Sequence, residues 1–253
     1  RYYDDAKVVR VRTVDGEAMV QRSYEEGNET AMANLPVFEG DTVVTTDGRV
    51  ELYLGRGNFL RLDADTEIQL SRAPALRRTD FSVKIVCGGV YLEVGALDNE
   101  RDIEVQTPDC GLFVLDQGLF RINTIENGQT EVYVHGGSAE VAGENGSRTV
   151  RENQKTVWQD GRITERPFYF YASDRDEFDR WQEELGRDSE TYRYSSARYL
   201  ERGYEDYEYE LNRAGRWTYQ REYGCNVWTP YSVGADWRPY SNGRWVWHPH
   251  YGY

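Results

Sequence analysis

The sequence predicts a mainly β protein: an all-β sandwich or solenoid-like domain of short strands, then one short helix, then an aromatic-rich C-terminal region of small β and irregular units. Three observations carry this prediction. Apolar and polar residues alternate with period two from Val8 to Ile163, as half-buried strands require. Gly, Asp and Asn break the alternation every few residues. The 20 Tyr and 7 Trp gather mainly after Phe168.

The strands follow from the alternation. Val50, Leu52 and Leu54 share one face while Glu51 and Tyr53 take the other. The same pattern recurs in Leu60/Leu62, Val90/Leu92/Val94, Ile103/Val105, Phe120/Ile122 and Val132/Val134. Between the runs stand Asp15-Gly16, Gly40-Asp41, Asp47-Gly48, Asn127-Gly128, Gly136-Gly137, Asn145-Gly146 and Asp160-Gly161. Such pairs accept the positive φ values of tight turns. Gly88-Gly89 predicts a bulge or a close backbone approach at a strand start.

A helix is expected after the strands, opened by Ser173 or Asp174 with Glu177 closing a capping box. Phe178, Trp181 and Leu185 form its apolar stripe, facing the β domain, and Gly186 ends it. A weaker helical stretch is expected from Ser195 to Glu201. The tail then repeats itself. Gly215-Arg216-Trp217 and Gly243-Arg244-Trp245 head two copies of one pattern, with Trp228-Thr229-Pro230-Tyr231 and Trp237-Arg238-Pro239-Tyr240 between them. The second copy stops at Tyr253, so the domain ends mid-repeat or the chain is truncated there.

Composition excludes whole classes of function. A formal charge of −14, from 44 acidic and 30 basic residues, disfavours nucleic acid and anionic membrane surfaces. No run is long and apolar enough for a membrane span, and a start at Arg1 is read as following a removed signal peptide. The three cysteines lack any CxxC spacing. Cys87 and Cys110 are a candidate disulfide if their strands are neighbours, and two buried free thiols are the alternative.

Candidate chemistry is sparse. His248 and His250 flank Pro249 and would share a face in an extended segment, a weak metal site with no third ligand. Asp63-Ala64-Asp65, and Asp174 with Asp176 and Asp179, lack the ligand spacing of a calcium loop. His135 has no nucleophile elbow to serve. Neither an enzyme nor a cofactor is expected. The binding candidates are aromatic: Trp228, Tyr231, Trp237, Tyr240 and Trp247 as a surface, with Trp228 also expected to share a small core with Trp217 and Trp245.

Several words resemble the FecR domain: Val14-Asp15-Gly16-Glu17, Asn34-Leu35-Pro36-Val37, Glu39-Gly40-Asp41-Thr42-Val43-Val44-Thr45, Arg49-Val50-Glu51-Leu52 and Leu60-Arg61-Leu62-Asp63. The likeness continues through Ile103-Glu104-Val105-Gln106-Thr107-Pro108, Gly118-Leu119-Phe120-Arg121-Ile122 and Val132-Tyr133-Val134-His135-Gly136-Gly137. It implies an extracytoplasmic, non-enzymatic β domain over residues 6–165; FecR itself is a periplasmic regulator of an iron-uptake sigma factor. The tail resembles an uncharacterised region that often follows FecR domains in secreted bacterial proteins. The resulting division is 6–165 as the FecR-like domain, 166–210 as a helical, Tyr-rich connector and 211–253 as the Trp-x-Pro-Tyr region. Without a cytoplasmic anti-sigma region, the chain reads first as an accessory or scaffold subunit docking on a protein partner or on itself. A glycan-binding module and a FecR-like sensor or regulator are the alternatives.

Overall fold

The structure is a computed structural model that describes residues 9–24, 27–74, 79–125, 128–171, 175–192, 199–200, 207–231, 233–234 and 236–238, with backbone alone for 188–192. Among the described residues the chain is mainly β, with two helices. It divides into two compact units, Arg1–Phe178 and Asp179–Tyr253.

In the first unit the strands are β1 (Val9–Asp15), β2 (Ala18–Gln21), β3 (Asn28–Thr30), β4 (Pro36–Val37), β5 (Thr42–Thr45), β6 (Arg49–Gly55), β7 (Asn58–Leu62) and β8 (Glu67–Arg72). Next come β9 (Phe81–Val94), β10 (Ile103–Gln106), β11 (Gly111–Val114), β12 (Gly118–Ile125) and β13 (Gln129–Gly136). The last four are β14 (Ser138–Gly143), β15 (Gly146–Arg151), β16 (Gln154–Gln159) and β17 (Arg162–Tyr169).

They form two sheets that share β9. One runs β4-β1-β6-β7-β9-β12-β13-β16-β17 and uses Gly88–Val94 of β9. The other runs β3-β2-β5-β8-β9-β10-β11-β14-β15 and uses Phe81–Cys87. Among the described residues, β9–β10 is the parallel pair. Parallel neighbours need a long crossover, and here the second half of β9, lying in the other sheet, supplies it.

The crossing depends on Gly88 and Gly89. Gly88 has φ +91°, and a Cβ there would collide with Thr66 Oγ1 and lie 2.6 Å from the Asp65 carbonyl oxygen. Thr66 Oγ1 accepts from the Gly89 amide at 3.1 Å and also lies 3.2 Å from the Gly89 carbonyl, so the bend is not left unpaired. The glycine pair therefore sits in the middle of a 14-residue strand rather than at a strand start. Sequence alternation located the residues but not the passage between sheets.

One face of each sheet turns inward. Val50, Leu60, Leu62, Val90, Leu92, Phe120, Ile122, Val132 and Val134 from the first sheet are all buried. So are Val20, Val43, Ile68, Val83, Ile85, Ile103, Val105, Leu112 and Val141 from the second. Each predicted turn word falls at a strand junction, although Asn127 lies outside the described residues. Asp41 does more than turn the chain. Fully buried, it accepts from Arg22 Nη1 at 2.6 Å and from the amides of Ser23 and Phe38 at 3.0 Å. Burial opposes the charge of Arg22, but the hydrogen bonds to Asp41 and Glu29 prevail and raise its pKa.

Helix α1 (Glu177–Tyr192) continues through Gly186, where an end was expected, because Glu177–Tyr192 is helical without interruption. Its expected opening residues Ser173 and Asp174 lie outside the described residues, as does most of the stretch from Ser195 to Glu201. In the second unit α2 (Glu208–Ala214) leads into the hairpin of β18 (Gly215–Gln220) and β19 (Cys225–Pro230).

Gly88→Ala is expected to lower stability by roughly 2–4 kcal/mol, since both φ and space are wrong for a side chain. Gly128→Ala, also at positive φ but in open space, is expected to cost only about 1 kcal/mol. Denaturant midpoints of the two variants check the difference.

Candidate functional site

The outward face of the first sheet is where side chains depart most from an ordinary solvated surface. Strand parity puts Arg10 and Arg12, Glu51 and Tyr53, Phe59 and Arg61, Tyr91 and Glu93, Arg121, and Tyr133 and His135 on that face. Water should cover them. Instead Glu51 and Arg61 are fully buried, Tyr91 is 2% exposed and Phe59 is 6% exposed.

An ionic chain runs through this layer. Arg12 Nη1 donates to Glu51 Oε1 at 2.8 Å, Arg61 Nε donates to Glu51 Oε2 at 2.8 Å, and Arg61 Nη1 donates to Glu93 Oε2 at 2.7 Å. Both oxygens of Glu51 are thereby used. Arg61 Nη2 is buried with no hydrogen-bond partner. The guanidiniums lie against rings: Arg10 is 4.8 Å from Tyr53, and Arg12 and Arg61 are 4.9 and 5.4 Å from Phe59.

Further along the same face Phe178, at the start of α1, is 1% exposed. Its ring is 5.1 Å from that of Tyr91, and Arg121 and Arg49 lie 5.5 and 6.0 Å from it. Burying such a ring is worth about 2–3 kcal/mol. Ion pairs flank it, Asp176 with Arg121 at 2.6 Å and Glu177 with Arg49 at 3.8 Å, and their exposure keeps each near 1 kcal/mol or less. Beyond Tyr91 the layer continues through His135, whose Nε2 is 3.3 Å from the Tyr91 hydroxyl and whose ring is 5.1 Å from Phe170. Lys155 Nζ then lies over Tyr133 and Phe168 at 5.0 and 5.2 Å. His135 therefore stands in an aromatic setting.

The tail places its rings differently. Trp228 is half-buried, and its indole N–H donates to the Leu211 carbonyl at 2.9 Å. A Cβ on Gly215 would meet that indole at 2.5 Å, so glycine there lets the ring close on the hairpin start. Trp217 pairs across the hairpin with Trp228 and stacks on Tyr199 at 5.2 Å. Tyr231 is 60% and Trp237 is 38% exposed. Tyr240, Trp245, Trp247, His248 and His250 lie outside the described residues.

Among the described residues no three His, Cys, Asp or Glu side chains converge as metal ligands. Cys87 and Cys110 are not bonded to one another, which corrects the candidate disulfide. Cys87 is exposed in β9, whereas Cys110 is buried at the β10–β11 hairpin, 3.5 Å from Thr107 Oγ1. Burial, reinforced by Asp109, pushes the Cys110 thiol up to about 12.

Sequence reasoning did not single out Glu51, Arg61, Tyr91, Arg121 or Phe178 as a site. A signal was present in the polar half of the alternation, where Arg-x-Arg, Glu-x-Tyr, Phe-x-Arg and Tyr-x-Glu recur.

Two sheets sharing one long strand, with a covered ionic and aromatic outer face, define a β platform. Its residues 41–140 match the model of the FecR protein family, and residues 208–253 match a family of unknown function (DUF6600). Two crystal structures of a candidate anti-sigma factor from Parabacteroides distasonis ATCC 8503, at 1.65 and 2.50 Å resolution, share 18% and 19% identity with TM-scores of 0.41 and 0.42. The similarity covers 49% of this chain and 57% of each of those, so it spans little more than half their length. Among curated proteins none matches.

Glu51→Ala is expected to cost about 3–5 kcal/mol by stranding Arg12 and Arg61. Glu51→Leu combined with Arg61→Met is expected to cost well under the sum of the two single changes, as urea midpoints in a double-mutant cycle will read. Alkylation of the folded chain at pH 8 is expected to label Cys87 and Cys225 and to reach Cys110 only on unfolding, as mass spectrometry of the labelled peptides will show.

Proposed function

We propose that the protein is an extracytoplasmic FecR-like sensor or regulator that acts by binding and carries out no catalysis. The observation that supports this most is the FecR match over residues 41–140. That segment includes Glu51, Arg61, Tyr91, Glu93, Arg121, Tyr133 and His135, the centre of the covered face. FecR itself transduces a signal in the periplasm, and the same location is proposed here. This reading takes precedence over the accessory-scaffold role that the tail by itself favours.

The tail carries a second reading. Tyr219, Tyr223, Tyr231 and Trp237 are exposed together in the second unit, and flat rings of this kind stack on sugars or dock on proteins. Trp228, Tyr231, Trp237, Tyr240 and Trp247 are the proposed contact rings, for a protein partner, a second copy or a glycan.

Deleting the gene is expected to change transcription of a restricted set of genes, restored by the native chain but not by one carrying Arg121→Glu. An unchanged transcriptome, together with loss of an envelope assembly, would instead support the scaffold. Co-sedimentation with cell-wall sacculi that Trp237→Ala releases, with circular dichroism unaltered, would support glycan binding.

A further inference from the structure

We propose that Arg49, Tyr91 and Arg121 form a recognition slot for an acidic-aromatic peptide segment, an Asp or Glu pair followed directly by Phe, and that a protein partner presenting such a segment competes for it. In this chain the slot is held by Asp176-Glu177-Phe178. The inference rests on the regulatory reading for its biological sense and names the chemistry of the partner.

The slot is built by the sheet rather than by its occupant. Tyr91 and Arg121 are register partners on β9 and β12. The Tyr91 hydroxyl is tied to His135 Nε2 at 3.3 Å. Arg121 Nε donates to Asn123 Oδ1 at 3.1 Å, leaving its Nη2 to reach Asp176. Arg49 Nε donates to Asp63 Oδ1 at 2.8 Å, leaving its Nη2 toward Glu177. Each slot side chain is therefore oriented by a partner on the sheet or, for Arg49, just beyond the end of β7, so the site persists if the segment leaves. Preorganisation of this kind lowers the ordering cost of binding.

The occupant shows which chemistry fits. Phe178 is almost wholly desolvated on Tyr91, whereas the Asp176 and Glu177 side chains remain 48% and 78% exposed. A buried aromatic anchor beside arginines with a wet ionic rim is the anatomy of an interface hot spot. The anchor is also short, three consecutive residues, all within the first unit.

The test uses the full chain and a fluorescein-labelled peptide with the sequence of residues 171–183. Fluorescence anisotropy is expected to show saturable binding to the Phe178→Ala chain, about tenfold or more tighter than to the native chain, where the resident segment lowers the competent fraction. Replacing the peptide's Phe by Ala, or adding Arg121→Gln to the recipient, is expected to abolish it. If Phe178→Ala does not fold by circular dichroism, Asp176→Asn with Glu177→Gln loosens the hold without opening a cavity, and the same order of affinities is expected. No saturable binding to a folded variant, or binding indifferent to the peptide's Phe, overturns the proposal. So does a concentration-dependent dimer of the native chain lost with Phe178→Ala, which would make a second copy the occupant. The titration reads the slot directly, so it fails or succeeds independently of any transcriptional response.

Discussion

The fold rests on one strand passing from one sheet to the other. Everything in the first unit is arranged on either side of Gly88 and Gly89. Before them β9 pairs with β8 and β10; after them it pairs with β7 and β12. A residue with a Cβ cannot take the Gly88 conformation without moving Thr66 and Asp65, and Thr66 is also the group that satisfies the bent backbone. Local geometry at one residue pair thus fixes which strands neighbour which and which face of each turns inward.

That choice has an electrostatic consequence on the outer face. In a half-solvated antiparallel sheet the polar half of each strand faces water, and charges there are weakly coupled. Here β6, β7 and the second half of β9 are covered on both faces, so Glu51 and Arg61 interact in a medium that amplifies both attraction and the penalty for any unpaired group. The Arg12–Glu51–Arg61–Glu93 chain is the response to that burial, and aromatic rings fill the space between the guanidiniums. The same design repeats around Phe178 with carboxylates that stay more exposed. A face of this type offers fixed arginines and flat rings side by side.

Much was legible from residue order because the relevant physics is local. Period-two alternation follows from the strand itself, so Val50/Leu52/Leu54 or Val132/Val134 declare an inward face wherever the strand ends up. Turn words declare themselves through φ, as at Gly16, Gly137 and Gly161. The mainly β class and the FecR match over residues 41–140 both follow from such local words. Gly186 misled for the complementary reason: a lone glycine weakens a helix by an amount that the neighbouring turns outweigh.

What the sequence by itself determined, then, is the class of fold, the inward-facing residues and the positions where the chain turns, because each depends on neighbours a few residues away. Tertiary structure decided that β9 serves two sheets, that Glu51 and Arg61 are buried rather than wet, that Cys87 is exposed while Cys110 is buried, and that Phe178 meets Tyr91 across 87 positions of sequence. Those outcomes depend on which surfaces cover one another, and burial of a polar face is a property of the assembled sheets that no single strand encodes.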